Sequence, residues 1–330
     1  MTSAPILESD EYLHEPTDHP QFNESAYYNF VDGDSGFGVL IRMGNRVNEG
    51  HAEVTVLVHL PDGRAAIRFD RAPIATNDRF EAGGLRFEVV EPLKQMKVHF
   101  DGTAHLLAKG TDLEDPKKAF TTSPQVPISL ELDYENVIPV HGLGGGSGIE
   151  GAEDAIAVGH YQGPCAVGGW IEVDGERKEI SGLGFRDHSW GPRKWQGPSW
   201  WRWISCMVDE KNGFVAWLQK IGDQPSPGHG MVLRDGHFEL VDKVSVRSAY
   251  GPAPHYPESM TVTMRTVSGD EVTATGEVFH NVPLRNRRDG EVARLAEVLV
   301  RLQVDGAVGY GISEYHDKMV DGAPLGMTEA

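Results

Sequence analysis

Cysteine is scarce in this 330-residue chain: there are two, Cys165 and Cys206, too few for a disulfide framework. Basic runs are missing as well. Lys plus Arg number 30 against 49 Asp plus Glu, a net charge of −19, and such a surface repels phosphate backbones and anionic headgroups. Nucleic acid and membrane-surface partners are therefore not expected. No window approaches the roughly 18 consecutive apolar residues of a spanning helix, which argues against membrane insertion. The first residues, MTSAPILESDEYLHEP, have neither the basic start nor the apolar core of a secretory signal, so the expectation is a soluble cytoplasmic protein with reduced thiols. The 14 histidines include no HExxH and no close His-x-His pair, and with two cysteines no metal site is expected. A glycine string at 141–152, HGLGGGSGIEGA, lacks the lysine and following Ser/Thr of a phosphate loop. It reads as a linker or loop, and no cofactor is expected.

What the chain has is turn chemistry. Its 39 Gly and 20 Pro exceed what a helical protein tolerates. After a polar arm over residues 1–23, apolar and polar residues alternate through short runs at 24–30, 37–43, 52–60, 65–69, 85–90, 96–100, 105–109 and 128–134. That is the period of half-buried strands. The same texture resumes after the glycine string: 155–162, 166–173, 178–184, 200–208, 214–220, 238–246, 259–266, 271–279, 297–304 and 307–315. The segment 291–302 could also wind as a helix, but Ala296, Val298, Val300, Leu302 and Val304 alternate cleanly into Asp305-Gly306, which favours a strand. Closing each set of strands removes exposed edges. The expected fold is all-β: two tandem antiparallel lipocalin-like β-barrels, over residues 1–150 and 151–330, with oligomerisation left open.

One stretch concentrates the chemistry. Residues 182–207 read GLGFRDHSWGPRKWQGPSWWRWISCM and hold five of the seven tryptophans beside Arg186, Asp187 and His188. Titratable groups among large apolar rings are costly to bury unless paired or put to use. If 185–190 continues a strand, Arg186, His188 and Trp190 share one face and Phe185, Asp187 and Ser189 the other, while Trp201 and Trp203 share a face in the next strand. Burial against indole raises a carboxyl pKa towards neutrality, and aromatic faces stabilise a developing carbocation by about 0.5–2 kcal/mol per ring. That combination suits protonation of a carbon–carbon double bond or its reverse. An ordinary Arg186–Asp187 ion pair among core tryptophans is the competing reading. On the last strand Tyr310, Ile312 and Glu314 share a face, and His160-Tyr161-Gln162 is a similar strand-borne polar cluster.

GLGFRDHSWGPR resembles the Gly-Tyr/Phe-x-Asp-His-x-Trp-Gly signature of the carotenoid 1,2-hydratase and AttH-like superfamily, which includes kievitone-hydratase-like proteins and lipocalin-like fungal Diels–Alderases. ESAYYNF near the start and GYGISEY near the end are similar to segments of uncharacterised bacterial members of that group. The resemblance implies paired lipocalin-like barrels, a pocket at the domain junction and hydrophobic, often isoprenoid, ligands. It carries the water-adding His and Trp of the hydratases onto His188 and Trp190, beside Asp187. One departure stands out: a Tyr-x-Asp expected on a later strand is replaced by Trp217-Leu218-Gln219, without a carboxylate. That leaves Asp187, His188 or Glu314 as acid, with Arg186, Tyr161, Trp201, Trp203 and Trp217 as substrate contacts. The expected function is a cofactor-independent hydratase, dehydratase, isomerase or cyclase acting on an unsaturated apolar small molecule. A non-catalytic carrier of such a ligand and a pericyclic cyclase are the alternatives.

Overall fold

The structure is a computed structural model and describes residues 6–143 and 157–327. Its contacts divide the chain into two units, Met1–Leu107 with Thr122–Lys194, and Ala108–Thr121 with Trp195–Ala330.

The first unit is an antiparallel ring. Its strands are β1 (Phe22–Asp32), β2 (Phe37–Arg46), β3 (His51–His59), β4 (Ala65–Pro73), β5 (Gln95–Leu107), β6 (Gln125–Asn136), β7 (Gly159–Val173) and β8 (Glu176–Pro192), in the order β4-β3-β2-β1-β8-β7-β6-β5, closed by pairing of β4 with β5. The expected run at 96–100 and the start of that at 105–109 are one continuous strand, β5, which ends at Leu107. Alternation explains the interior: Tyr28 and Phe30, Val39 and Ile41, Val54 and Val56, and Leu130 and Leu132 all point into one core. A one-residue slip would turn each of these sets outwards, so burial pins the register.

The second unit repeats the plan with β9 (Trp200–Asp209), β10 (Asn212–Ile221), β11 (His229–Arg234), β12 (His237–Tyr250), β13 (Pro257–Thr266), β14 (Glu271–Arg288), β15 (Glu291–Val304) and β16 (Ala307–Val320), closed by pairing of β9 with β16. Its core includes Ile204, Phe214, Val262, Ala296, Val298 and Val300. The segment 291–304 is a strand, as the alternation indicates. Asp174-Gly175 and Asp305-Gly306 turn tightly with both residues at positive φ (54° and 80°; 49° and 84°), the geometry that joins twisted strands through two residues. A seven-residue helix, Pro116–Thr122, went unforeseen because it spans barely two turns.

One expectation changes. The division at 150/151 would send residues 159–192 to the second barrel. Instead β8 pairs with β1 from Phe22↔Pro192 to Val31↔Leu183, and β7 pairs with β6. Without β7 and β8 the first ring would lack two strands and leave β1 and β6 as open edges. The RDHSWG motif therefore belongs to the first barrel. Of the glycine string, 144–152 lies outside the described residues, while His141–Leu143 pairs with β7. No helix among the described residues is long and apolar enough to cross a membrane.

Candidate functional site

The alternation of β8 sends Arg186, His188 and Trp190 into the first ring, opposite Tyr28, Ala26 and Glu24 of β1. The amino-terminal arm does more than wrap this barrel. Its single 3-10 turn, Glu8–Glu11, inserts Glu11, which accepts both Nη groups of Arg186 at 2.8 and 2.9 Å. Glu11 also accepts the Tyr161 hydroxyl at 2.8 Å and the Leu93 N–H at 2.6 Å, and Asn136 takes the Arg186 Nε–H at 2.6 Å. Burial by itself would lower the Arg186 pKa, but the Glu11 charge reverses it and holds the guanidinium charged.

Next to this pair sits Glu24. One of its oxygens lies 2.7 Å from His14 Nδ1 and 3.0 Å from His188 Nε2, and the other accepts Asn77 Nδ2 at 2.7 Å. Burial would raise the Glu24 pKa, yet the two imidazoles outweigh it and hold the carboxyl below its ordinary value. The His14 ring stacks on Trp190 at 3.9 Å with 17° between planes. That indole needs the glycine opposite it, because a Cβ on Gly159 would come within 2.1 Å of Trp190 Cζ2. Gly159→Ala is accordingly expected to destabilise the protein by about 1–3 kcal/mol, the usual range for overpacking, measured by chemical denaturation. A change within error would mean that the indole can move aside freely.

Asp187 points the other way. It pairs in register with Tyr27 and Gln162 and lies 3.7 Å from His160 Nε2, so the adjacent residues Asp187 and His188 serve opposite faces of one sheet.

A second constellation forms on the outer face of the second barrel. Along β9, Trp200, Ile204 and Cys206 enter the core, and Arg202 lies over the Tyr315 ring within it, so Trp201 and Trp203 face outwards. Cross-strand register then sets Glu297, Glu314, Trp203 and Trp217 in one row and Leu295, His316, Trp201 and Gln219 in the next. Trp201 lies flat on His316 at 3.8 Å and 6°, and its Nε1–H donates to Glu314 Oε2 at 3.0 Å. Trp195 and Trp217 flank it at 5.8 and 6.3 Å.

Glu297, like Glu11, His14 and Glu24 in the first barrel, is a residue that sequence reasoning passed over. It is 1% exposed, and its Oε2 has no hydrogen-bond partner. Burial first, and then the charge of Glu314, push its pKa well above the ordinary glutamate value of 4.5. The available signal was a carboxylate between Leu295 and Leu299, on the face opposite the core positions Ala296 and Val298.

The expected site residues thus fall into three groups. Arg186, His188, Trp190 and Tyr161 meet inside the first barrel, Glu314, Trp201, Trp203 and Trp217 meet on the second, and Asp187 joins neither. Burial pushes both thiols, Cys165 and Cys206, up to about 12, too high for a nucleophile near neutrality.

Two closed rings of eight antiparallel strands define a tandem β-barrel protein. A family model described as a domain of unknown function (DUF7064) matches residues 7–319, and the chain belongs to that family. No curated protein matches it in sequence. Among solved structures it is similar to a Nitrosomonas europaea protein described as AttH, with 15% identity, TM-score 0.57, and 94% of this chain and 98% of that one covered. It is also similar to CghA, with 11% identity, TM-score 0.58, and 92% and 89% covered. A third similar structure is kievitone hydratase from Nectria haematococca, with 12% identity, TM-score 0.53, and 94% and 92% covered. At these identities the likeness is one of fold.

Proposed function

We propose that the protein is a lyase of the hydratase or dehydratase type, transferring a proton to or from an unsaturated apolar small molecule at the Glu297–Glu314 pair. The single observation that carries this reading is Glu297: a buried carboxyl with an unpartnered oxygen, beside a second carboxylate that together with burial raises its affinity for a proton. Two carboxyls whose surroundings push their affinities for protons apart are the usual arrangement of an acid and a base on one site. Glu314, fixed by the Trp201 N–H, is the base of the pair, and Glu297 is the acid. In the hydration direction Glu297 gives its proton to one alkene carbon while water adds to the other, and Glu314 takes the proton that the water releases. Trp201, Trp203 and Trp217 offer ring faces to the cationic character that develops between these events. The fold shared with kievitone hydratase supports a reaction of this class.

The test is incubation of unsaturated isoprenoid alcohols and enones in D2O with the full-length protein, read by mass spectrometry. Gain of one D2O by a substrate, or exchange of carbon-bound hydrogen, is expected, and both should depend on Glu297. Saturable binding of these compounds with no chemical change would overturn the lyase reading in favour of a carrier.

A further inference from the structure

A different cluster, in the first barrel, carries an assignment of its own. We propose that His14, Glu24 and His188 bind a divalent transition metal of the zinc type.

The Tyr161 hydroxyl has one proton, and it goes to Glu11 Oε1 at 2.8 Å. The contact between that hydroxyl and His188 Nδ1 at 3.3 Å therefore needs the imidazole to be the donor. Its other nitrogen, Nε2, lies 3.0 Å from Glu24 Oε1, an acceptor, so that contact needs either a second proton on His188 or a cation between the two atoms. His14 Nδ1 approaches the same oxygen at 2.7 Å. Two imidazole nitrogens converge on one buried carboxylate oxygen, and the cluster calls for positive charge between them.

The three donor atoms lie within 4.8 Å of one another. Two imidazoles and a carboxylate are a borderline-soft set that suits zinc, and three protein ligands leave a fourth position for water. Outer partners are already in place, as metal ligands require. Tyr161 fixes the far nitrogen of His188, Asn77 and the His14 backbone N–H hold the second Glu24 oxygen, and Trp190 and Phe80 wall the imidazoles at ring-contact distance. The remaining ionisable neighbour, Asp10, lies 3.6 Å from His14 Nε2 and stabilises the ligand ring from behind.

Local spacing could not reveal this set. His14 and Glu24 are ten residues apart, while Glu24 and His188 are separated by 164. The expectation of no metal rested on near-neighbour patterns such as HExxH, and this site has none.

The experiment uses the full-length protein, stripped with a chelator, dialysed and titrated with Co2+ and then Zn2+. One equivalent per chain is expected, with a visible Co2+ absorption band that Zn2+ abolishes. Tyr161→Phe should weaken binding about 10–100-fold, the usual effect of losing an outer partner, and His14→Ala by at least as much. Circular dichroism melting checks that each variant is folded. His14 sits on the arm and is half-buried, so its variant remains informative even if His188→Ala does not fold. Absence of saturable binding, or Co2+ affinity unchanged in folded His14→Ala, would overturn the proposal. So would nitrogen-15 spectra showing His188 Nε2 still protonated at saturating Zn2+.

Discussion

Glu297→Gln is expected to lower turnover by about 10²–10⁴-fold, the range for losing a general acid, while leaving the fold intact. The amide has the shape of the carboxyl it replaces but no transferable proton. Stability should move in the opposite direction to activity. The folded-state pKa of Glu297 lies above its ordinary value of 4.5, so its favourable contribution is complete below that pH and is lost as the pH rises through the folded value. A neutral glutamine escapes that loss. The variant should therefore match the parent in acid and melt at the same or a higher temperature at neutral and alkaline pH. Turnover within threefold of the parent, measured on any substrate found in D2O, would remove Glu297 from the chemistry. A lower melting temperature at alkaline pH would contradict the upward shift of its pKa. Glu314→Gln separates the roles further, because it removes the charge that helps keep the proton on Glu297.

Glu11→Ala should be the most damaging change to stability in the first barrel, at about 3–5 kcal/mol. Arg186 and Glu11 are 1% and 4% exposed, so deleting the carboxylate strands a guanidinium in surroundings that cannot hydrate it. The Tyr161 hydroxyl and the Leu93 N–H lose their acceptor at the same time. The value of the pair is distinct from the cost of breaking it. Joining Glu11→Leu to Arg186→Met is expected to recover much of the loss, since both charges and their desolvation disappear together. Denaturant titration of the two single variants and the double variant closes this cycle. A loss below about 1 kcal/mol for Glu11→Ala would show that the arm leaves the barrel readily and that the ion pair does not hold it there.

The arm also shows where local reading stops. ESDEYLHEP has the composition of a solvated lead-in, and nothing in its spacing marks Glu11 and His14 as the residues that enter the ring. Their role appears only once β8 has brought Arg186 and His188 to the same end, through pairing between residues more than 150 positions apart. The same limit misplaced the domain boundary: the glycine string is the sharpest break in composition, but composition does not say which edges β7 and β8 close.

Sequence by itself determined the strand content, the Asp-Gly turns, and which residues of 185–190 and 200–207 share a face. These follow from the twofold period of an extended chain, a property of local covalent geometry. Tertiary structure decided which faces meet. It separated Asp187 from His188, divided the tryptophan-rich stretch between two barrels, and set Glu297 beside Glu314. Cross-strand register is fixed by long-range burial, and no short stretch of the chain contains that information.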